Sequence, residues 1–132
     1  MIVKSDISQK IEPEITYINE DLLEIAIGAG TGLSLVQFYS IKNDLFSVIF
    51  ESPLLIENEL VAYMSLSDGI IKFVVQNIFD TGIYYNEFLL DFSPVANPKD
   101  ALIHMDYLDN NRLKITYLSG ENYTNKSCII QL

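Results

Sequence analysis

The chain has 132 residues, is 49% hydrophobic and carries a formal net charge of −10. This length and apolar content predict one domain over residues 1–132. Only eight Lys and Arg residues are present, too few for extensive phosphate contacts, so direct nucleic-acid binding is not expected. An acidic surface is also repelled by anionic membranes, and a basic protein partner suits it better.

Cellular location is predicted from what the sequence lacks. The first ten residues have no apolar signal core, and no run of about 18 apolar residues occurs. Cys128 is the single cysteine, so an internal disulfide is excluded and a reducing compartment is favoured. We expect a cytoplasmic protein in which Cys128 acts as a small buried hydrophobic residue.

The first predicted β-hairpin covers residues 15–25, after a polar lead-in in which Ile2 and Val3 offer an edge strand. Its loop is Asn19-Glu20-Asp21, which pairs Thr16 with Glu24 on the face toward water. The pairs expected to face the core are Tyr17/Leu23 and Ile15/Ile25.

A glycine-rich stretch, residues 28–32, follows this hairpin. A phosphate cradle needs a helix N-terminus and usually a lysine after the glycines, and an alternating strand follows instead. We therefore predict a bulge or wide turn there. Strands are expected over residues 33–40 and 45–50, and Pro53 ends the second because it has no N–H to donate. Residues 54–59 fit a strand end or a helical turn.

The central hairpin, residues 60–75, has the best-sorted pattern in the chain. Asp68-Gly69 is a type I′ turn pair, since both positions tolerate positive φ. A two-residue loop predicts an apolar core face and a mixed opposite face. The expected core-face pairs are Leu66/Ile71, Met64/Phe73 and Ala62/Val75. The expected opposite-face pairs are Ser65/Lys72 and Tyr63/Val74, with Ser67/Ile70 at the turn.

A long strand over residues 83–92 and a loop over 94–100, with room for a short helix start, precede the third hairpin at 103–117. The loop of this hairpin is Asp109-Asn110-Asn111. Its expected core pairs are Tyr107/Leu113, Met105/Ile115 and Ile103/Tyr117. Its expected outer pairs are Asp106/Lys114 and His104/Thr116. A final strand is predicted for residues 127–132.

Ile71 and Leu113 hold equivalent positions in two copies of a unit made of a strand, a Ser-Pro break, a connection and a hairpin. The unit is about 42 residues long and resembles a β-propeller blade in length and layout, without the Trp-Asp signature. No segment keeps a 3.6-residue apolar period. We predict an all-β antiparallel meander of repeated hairpins, arranged as a β-sandwich, an open barrel or an incomplete propeller. An open edge would be covered by a homodimer or a protein partner.

Acidic residues concentrate in the turns. Those singled out as partner-binding candidates are Glu20, Asp21, Glu57, Glu59, Asp68 and Asp109. If the repeats stack alike, the hairpin tips form an anionic rim for a basic partner; alternatively, Asp and Asn are there simply because they suit turns. Tyrosines typical of binding surfaces join this set, or else fill the core. These tyrosines are Tyr63, Tyr84 and Tyr85, with Tyr39 as a further candidate for an exposed patch.

Chemistry-bearing residues form no recognisable constellation. His104 is the single histidine, and no second metal ligand stands at a regular spacing from it. A nucleophile, base and acid are not fixed relative to one another by any motif. We therefore expect a non-enzymatic protein with no catalytic residues, no metal and no cofactor.

Taken together, the small size, acidity, single cysteine, absence of tryptophan and all-β pattern resemble bacterial immunity proteins of contact-dependent growth-inhibition systems. The resemblance is one of overall character and has no motif residues. It implies a protein that binds and neutralises a cognate, basic, nuclease-like toxin domain by protein–protein contact. Two alternatives remain open, a small-molecule-binding β-barrel and a self-assembling structural β domain.

Overall fold

A computed structural model of the chain describes residues 13–28, 34–57 and 59–132. These residues form three antiparallel sheets, each a meander of strands that are neighbours in sequence. Sheet A contains β1 (Glu14–Tyr17), β2 (Leu22–Gly28), β3 (Ser34–Ser40) and β4 (Leu45–Glu51). Sheet B contains β5 (Leu54–Ile56), β6 (Leu60–Ser67), β7 (Ile70–Asn77) and β8 (Tyr85–Phe88). Sheet C contains β9 (Leu102–Tyr107), β10 (Arg112–Ser119) and β11 (Thr124–Gln131). The predicted all-β antiparallel class is confirmed.

Sheet B lies between the other two, because both of its faces carry buried apolar residues. One core lies between sheets B and C, with Ala62, Met64, Phe73 and Val75 opposite Leu113, Ile115, Tyr117 and Ile130. A second core lies between sheets A and B, with Leu22, Val36, Phe38 and Phe50 opposite Val61 and Ile78. The described strands form an open stack in the order A, B, C and do not close into a barrel.

The central hairpin has the predicted register at every pair from Ala62/Val75 to Ser67/Ile70. Asp68 and Gly69 have φ of 53° and 76°, as a type I′ turn requires. The predicted core face is buried along most of its length, but Leu66 is 51% exposed beside the turn. The opposite face is also buried in part, since Val74 is only 2% exposed.

In the third hairpin, the pairs Tyr107/Leu113 and Met105/Ile115 are confirmed. The predicted pair Ile103/Tyr117 is wrong, because the register shifts between Thr116 and Tyr117. Tyr117 lies opposite Leu102, and the extra residue, Ile103, is left exposed. A bulge of this kind changes which face the residues beyond it present.

The first hairpin has the predicted register but the opposite orientation. Tyr17 pairs with Leu23 and Ile15 with Ile25, yet Tyr17 is 73% and Ile15 60% exposed. The face that packs on sheet B carries Phe38, the partner of Glu24. On β1 and β2 the outer set is the more apolar one, whereas on β3 and β4 both alternating sets contain large apolar residues. Hydrophobicity of the first hairpin alone therefore did not determine which set faces sheet B.

Between sheets B and C, the crossing segment is held by two side-chain hydrogen bonds, Ser93 to Gly120 and Ser119 to Asp91, which we call the latch. The strand predicted over residues 83–92 is wrong in extent, since β8 ends at Phe88 and Phe92 makes only an isolated bridge to Ser119. Ser93 is fully buried, and its Oγ donates to the carbonyl of Gly120 at 2.6 Å. Ser119 Oγ donates to Asp91 Oδ2 at 2.9 Å. These bonds attach the crossing segment to the end of β10.

Two further connections match their predictions. Residues 54–56 form the strand β5, one of the two expected alternatives. The loop at 94–100 leads into a single 3-10 helix, Pro98–Ala101, at the predicted short helix start. Asn97 caps it by accepting from the N–H of Lys99. The predictions for Ile2, Val3 and glycine-rich residues 29–32 fall outside the described residues.

Candidate functional site

An acidic cleft lies between the first hairpin loop and the connection from β5 to β6. Its volume is about 460 Å³. Apolar side chains and carboxylates both line it, among them Ile18, Leu22, Leu55, Asp21, Glu57 and Glu59. An apolar floor beside carboxylates suits a Lys or Arg side chain, whose stem is aliphatic and whose head is charged.

Local turn chemistry shapes the first wall of this cleft. Asn19 Oδ1 accepts from the backbone N–H of Asp21 at 2.8 Å and of Leu22 at 3.0 Å, which folds residues 19–22 into an Asx turn. The carboxylate of Asp21 accepts from Ser40 Oγ and from the backbone N–H of Lys42. Asp21 therefore ties the first loop to the turn between β3 and β4.

Glu57 and Glu59 form the second wall and are exposed. Glu59 has a φ of 68°, and its carbonyl accepts from the N–H of Ile78 at 2.9 Å. That bond fixes the connection against the end of β7. Within the described part of the chain neither glutamate belongs to an ion pair; the pairs there use Glu87, Asp100, Asp106 and Asp109.

The structure does not align the tips of the first two hairpins. Asp21 shares a cleft with the connection at the start of β6, whereas Asp68 follows the other end of this eight-residue strand, about 26 Å away. Glu20 is exposed in the first loop beside Asp21. Asp109, at the third tip, is paired with Arg112 Nη2 at 2.8 Å. The acidic residues brought together are thus Asp21, Glu57 and Glu59.

A tyrosine–carboxylate cluster lies on the face of sheet B that is turned toward sheet A. Tyr85 donates to Glu87 Oε2 at 2.7 Å, and Lys72 Nζ lies 3.2 Å from Glu87 Oε1. Tyr63 donates to Gln76 Oε1 at 2.7 Å, and its ring centroid is 5.6 Å from that of Phe50. Cross-strand pairing of β7 with β8 places these side chains on one face.

The electrostatics of this cluster keep its tyrosines protonated. The hydrogen bond to Glu87, followed by burial, raises the pKa of Tyr85 to about 12. Burial, followed by the Glu87 charge, raises the pKa of Tyr63. The hydrogen bonds from Tyr85 and Lys72 lower the pKa of Glu87. The cluster therefore consists of neutral tyrosine hydroxyls, which donate to Glu87 and Gln76, beside one carboxylate.

Tyr84 does not belong to an exposed patch, contrary to the sequence prediction. Its side chain packs against the core between sheets B and C, and its hydroxyl is buried without a hydrogen-bond partner in the described structure. Tyr39 is half-buried, and its hydroxyl bonds to Asp44. Of the four tyrosines only Tyr85 is exposed, with 46% of its surface in water.

Sequence reasoning missed the apolar outer face of sheet A. Its most exposed members are Ile15 and Tyr17 on β1 and Phe46 and Ile49 on β4, with 56% exposure for each of the last two. Cross-strand pairing joins them through Leu23, Ile25, Gln37 and Tyr39. The signal was present in residues 33–40 and 45–50, where both alternating sets contain large apolar residues.

Comparison of the chain with family models, curated proteins and solved structures found no match. Across residues 13–28, 34–57 and 59–132, no group of three or more His, Cys, Asp or Glu side chains is arranged to hold a metal ion. No helix in these residues has the length and hydropathy of a membrane span.

Proposed function

We propose that this chain is an immunity-type protein that binds and neutralises a cognate basic toxin domain in the bacterial cytoplasm. The observation that supports this most is the acidic cleft, where Glu57 and Glu59 are exposed beside an apolar floor. A Lys or Arg side chain of the toxin would place its stem on the floor and its charge between the carboxylates.

In the proposed complex, the net charge of the chain raises the association rate. With a charge of −10, the chain attracts a cationic surface over a distance comparable to the Debye length, about 10 Å at 0.1 M salt. This attraction speeds encounter, and desolvated anchors slow release. Tyr85, exposed at the edge of sheet B, is the aromatic anchor we propose.

The test is co-expression with the product of the neighbouring reading frame, which the proposal expects to be the toxin, followed by binding kinetics with the purified pair. We expect restored growth, a one-to-one complex, and an association rate that falls at least about tenfold between low and high salt. A toxin that remains active, or an association rate independent of salt, would contradict the proposal.

A matched pair of variants locates the contact. Glu57→Gln removes one charge from the cleft with little change in shape, and Asp68→Asn removes one charge from the opposite end of β6. We expect Glu57→Gln to weaken toxin binding roughly tenfold and Asp68→Asn to leave it within about twofold. Equal effects of the two variants would mean that only the overall charge matters.

A further inference from the structure

The stack of sheets ends differently on its two sides. The outer face of sheet C is polar; its members include His104, Asp106, Lys114, Thr116 and Ser127, with Ile129 among them. Among the described strand residues, the outer face of sheet A carries one charged residue, Glu51, at the end of β4. Asp44, in the turn before β4, also reaches this face, where it accepts from the Tyr39 hydroxyl. Stacked repeat proteins need a polar outer face on each terminal unit, and only sheet C provides one.

We propose that the outer face of sheet A packs face to face against the same face of a second copy of this chain, forming a closed two-fold dimer. Sheet A already packs in this way on its inner side, where Phe38 and Phe50 meet sheet B. Face-to-face packing of a twisted sheet needs only a second apolar sheet, about 10 Å away.

The area of this face suits a dimer. At about 200 Å² for a large side chain, the exposed fractions of Ile15, Tyr17, Phe46 and Ile49 leave on the order of 500 Å² in water. Half-buried neighbours such as Leu23, Ile25 and Leu35 bring the face toward the roughly 800 Å² that each partner contributes to a standard interface.

The polar outer face of sheet C favours two-fold symmetry in the proposed dimer. A head-to-tail contact would bury Asp106 and Lys114 against Phe46 and Ile49, and burying charges against apolar surface is costly. The self-complementary contact avoids this cost and uses the face on both copies, so assembly stops at two. This inference is independent of the toxin proposal, which uses a different surface.

Light scattering on the purified chain over a range of concentrations tests the dimer, with two matched variants. Ile49→Lys places a charge on the outer face of sheet A. Ile129→Lys makes the same change at an equally exposed isoleucine, 57% against 56%, on the outer face of sheet C. We expect Ile49→Lys to raise the dimer dissociation constant roughly 100-fold and Ile129→Lys to change it less than about threefold.

Salt gives a second readout, opposite in sign to that expected for toxin binding. Two copies with a charge of −10 each repel one another, so added salt should strengthen the dimer by screening. Tyr17→Lys, at a side chain 73% exposed, repeats the disruption from β1, and circular dichroism confirms that each variant is folded.

A monomer at every concentration would overturn the dimer proposal. A dimer that survives both Ile49→Lys and Tyr17→Lys would place the contact elsewhere and overturn it too. Polymers that grow with concentration would contradict the closed two-fold contact. None of these results affects the toxin proposal, whose readouts are growth rescue and the Glu57→Gln variant.

Discussion

Tyr85 and Glu87 face the same way on β8, and their side chains are joined by a 2.7 Å hydrogen bond. This bond to a carboxylate is the largest cause of the raised pKa of Tyr85, about 12 against an ordinary 10. We expect Glu87→Gln to lower the pKa of Tyr85 toward 10, because the amide no longer brings a negative charge to the phenol. An NMR titration of the tyrosine ring carbons measures the pKa of Tyr85 in both proteins.

Lys72→Met is the control for this variant, since it leaves the Tyr85–Glu87 bond in place and removes only the cation 3.2 Å from Glu87. The pKa of Tyr85 should then stay raised, at about 12.

The raised pKa also predicts a dependence of stability on pH. Because the pKa is raised on folding, Tyr85 contributes stability fully below pH 10 and loses that contribution as the pH rises to about 12. Between pH 10 and about 12, the melting temperature of Tyr85→Phe should accordingly fall less than that of the parent chain.

The latch at Ser93 gives a stability prediction. Ser93→Ala removes the 2.6 Å bond to the Gly120 carbonyl from a fully buried site. We expect the free energy of unfolding to fall by about 1–2 kcal/mol. Ser67→Ala, at an exposed position beside the central turn, should change it by less than about 0.5 kcal/mol. Urea unfolding of both variants checks the difference, and equal midpoints would contradict a role for the latch.

Phe73 and Leu66 share one face of the central hairpin but differ in burial, 0% against 51% exposed. Phe73→Ala should cost about 3–5 kcal/mol because it leaves a cavity between sheets B and C. Leu66→Ala should cost less than about 1 kcal/mol, since most of its side chain already meets water. Similar losses from both would mean that the hairpin tip is covered in solution.

Local pattern was enough to predict the strand pairing of the hairpins, except at the bulge that pairs Tyr117 with Leu102 instead of Ile103. The turn Asp68-Gly69 and the alternation around it determine the register of β6 with β7 through neighbours in sequence. The orientation of the first hairpin depends on which of its two alternating sets lies on the face of sheet A that meets sheet B. That choice is made by Phe38 and Phe50 packing on Val61, a contact between distant parts of the chain.

The candidate site was predictable only in part, for the same reason. Glu57 and Glu59 are close in sequence and line the same cleft, but their nearness to Asp21 depends on how sheet A packs on sheet B. Tyr84 and Tyr85 are adjacent in sequence and face opposite ways, so composition could not separate the buried hydroxyl from the exposed one. Whether these groups bind a toxin stays a prediction.

The meander order of every sheet also has a consequence for folding. Each ladder pairs strands that follow one another directly, so few residues must be closed into a loop before the first hydrogen bonds form. Contacts of low sequence separation favour rapid folding. The 27-residue span between Ser93 and Gly120 is longer than the hairpin closures. We therefore expect the hairpins to form early, with the Ser93 latch closing as sheet C docks.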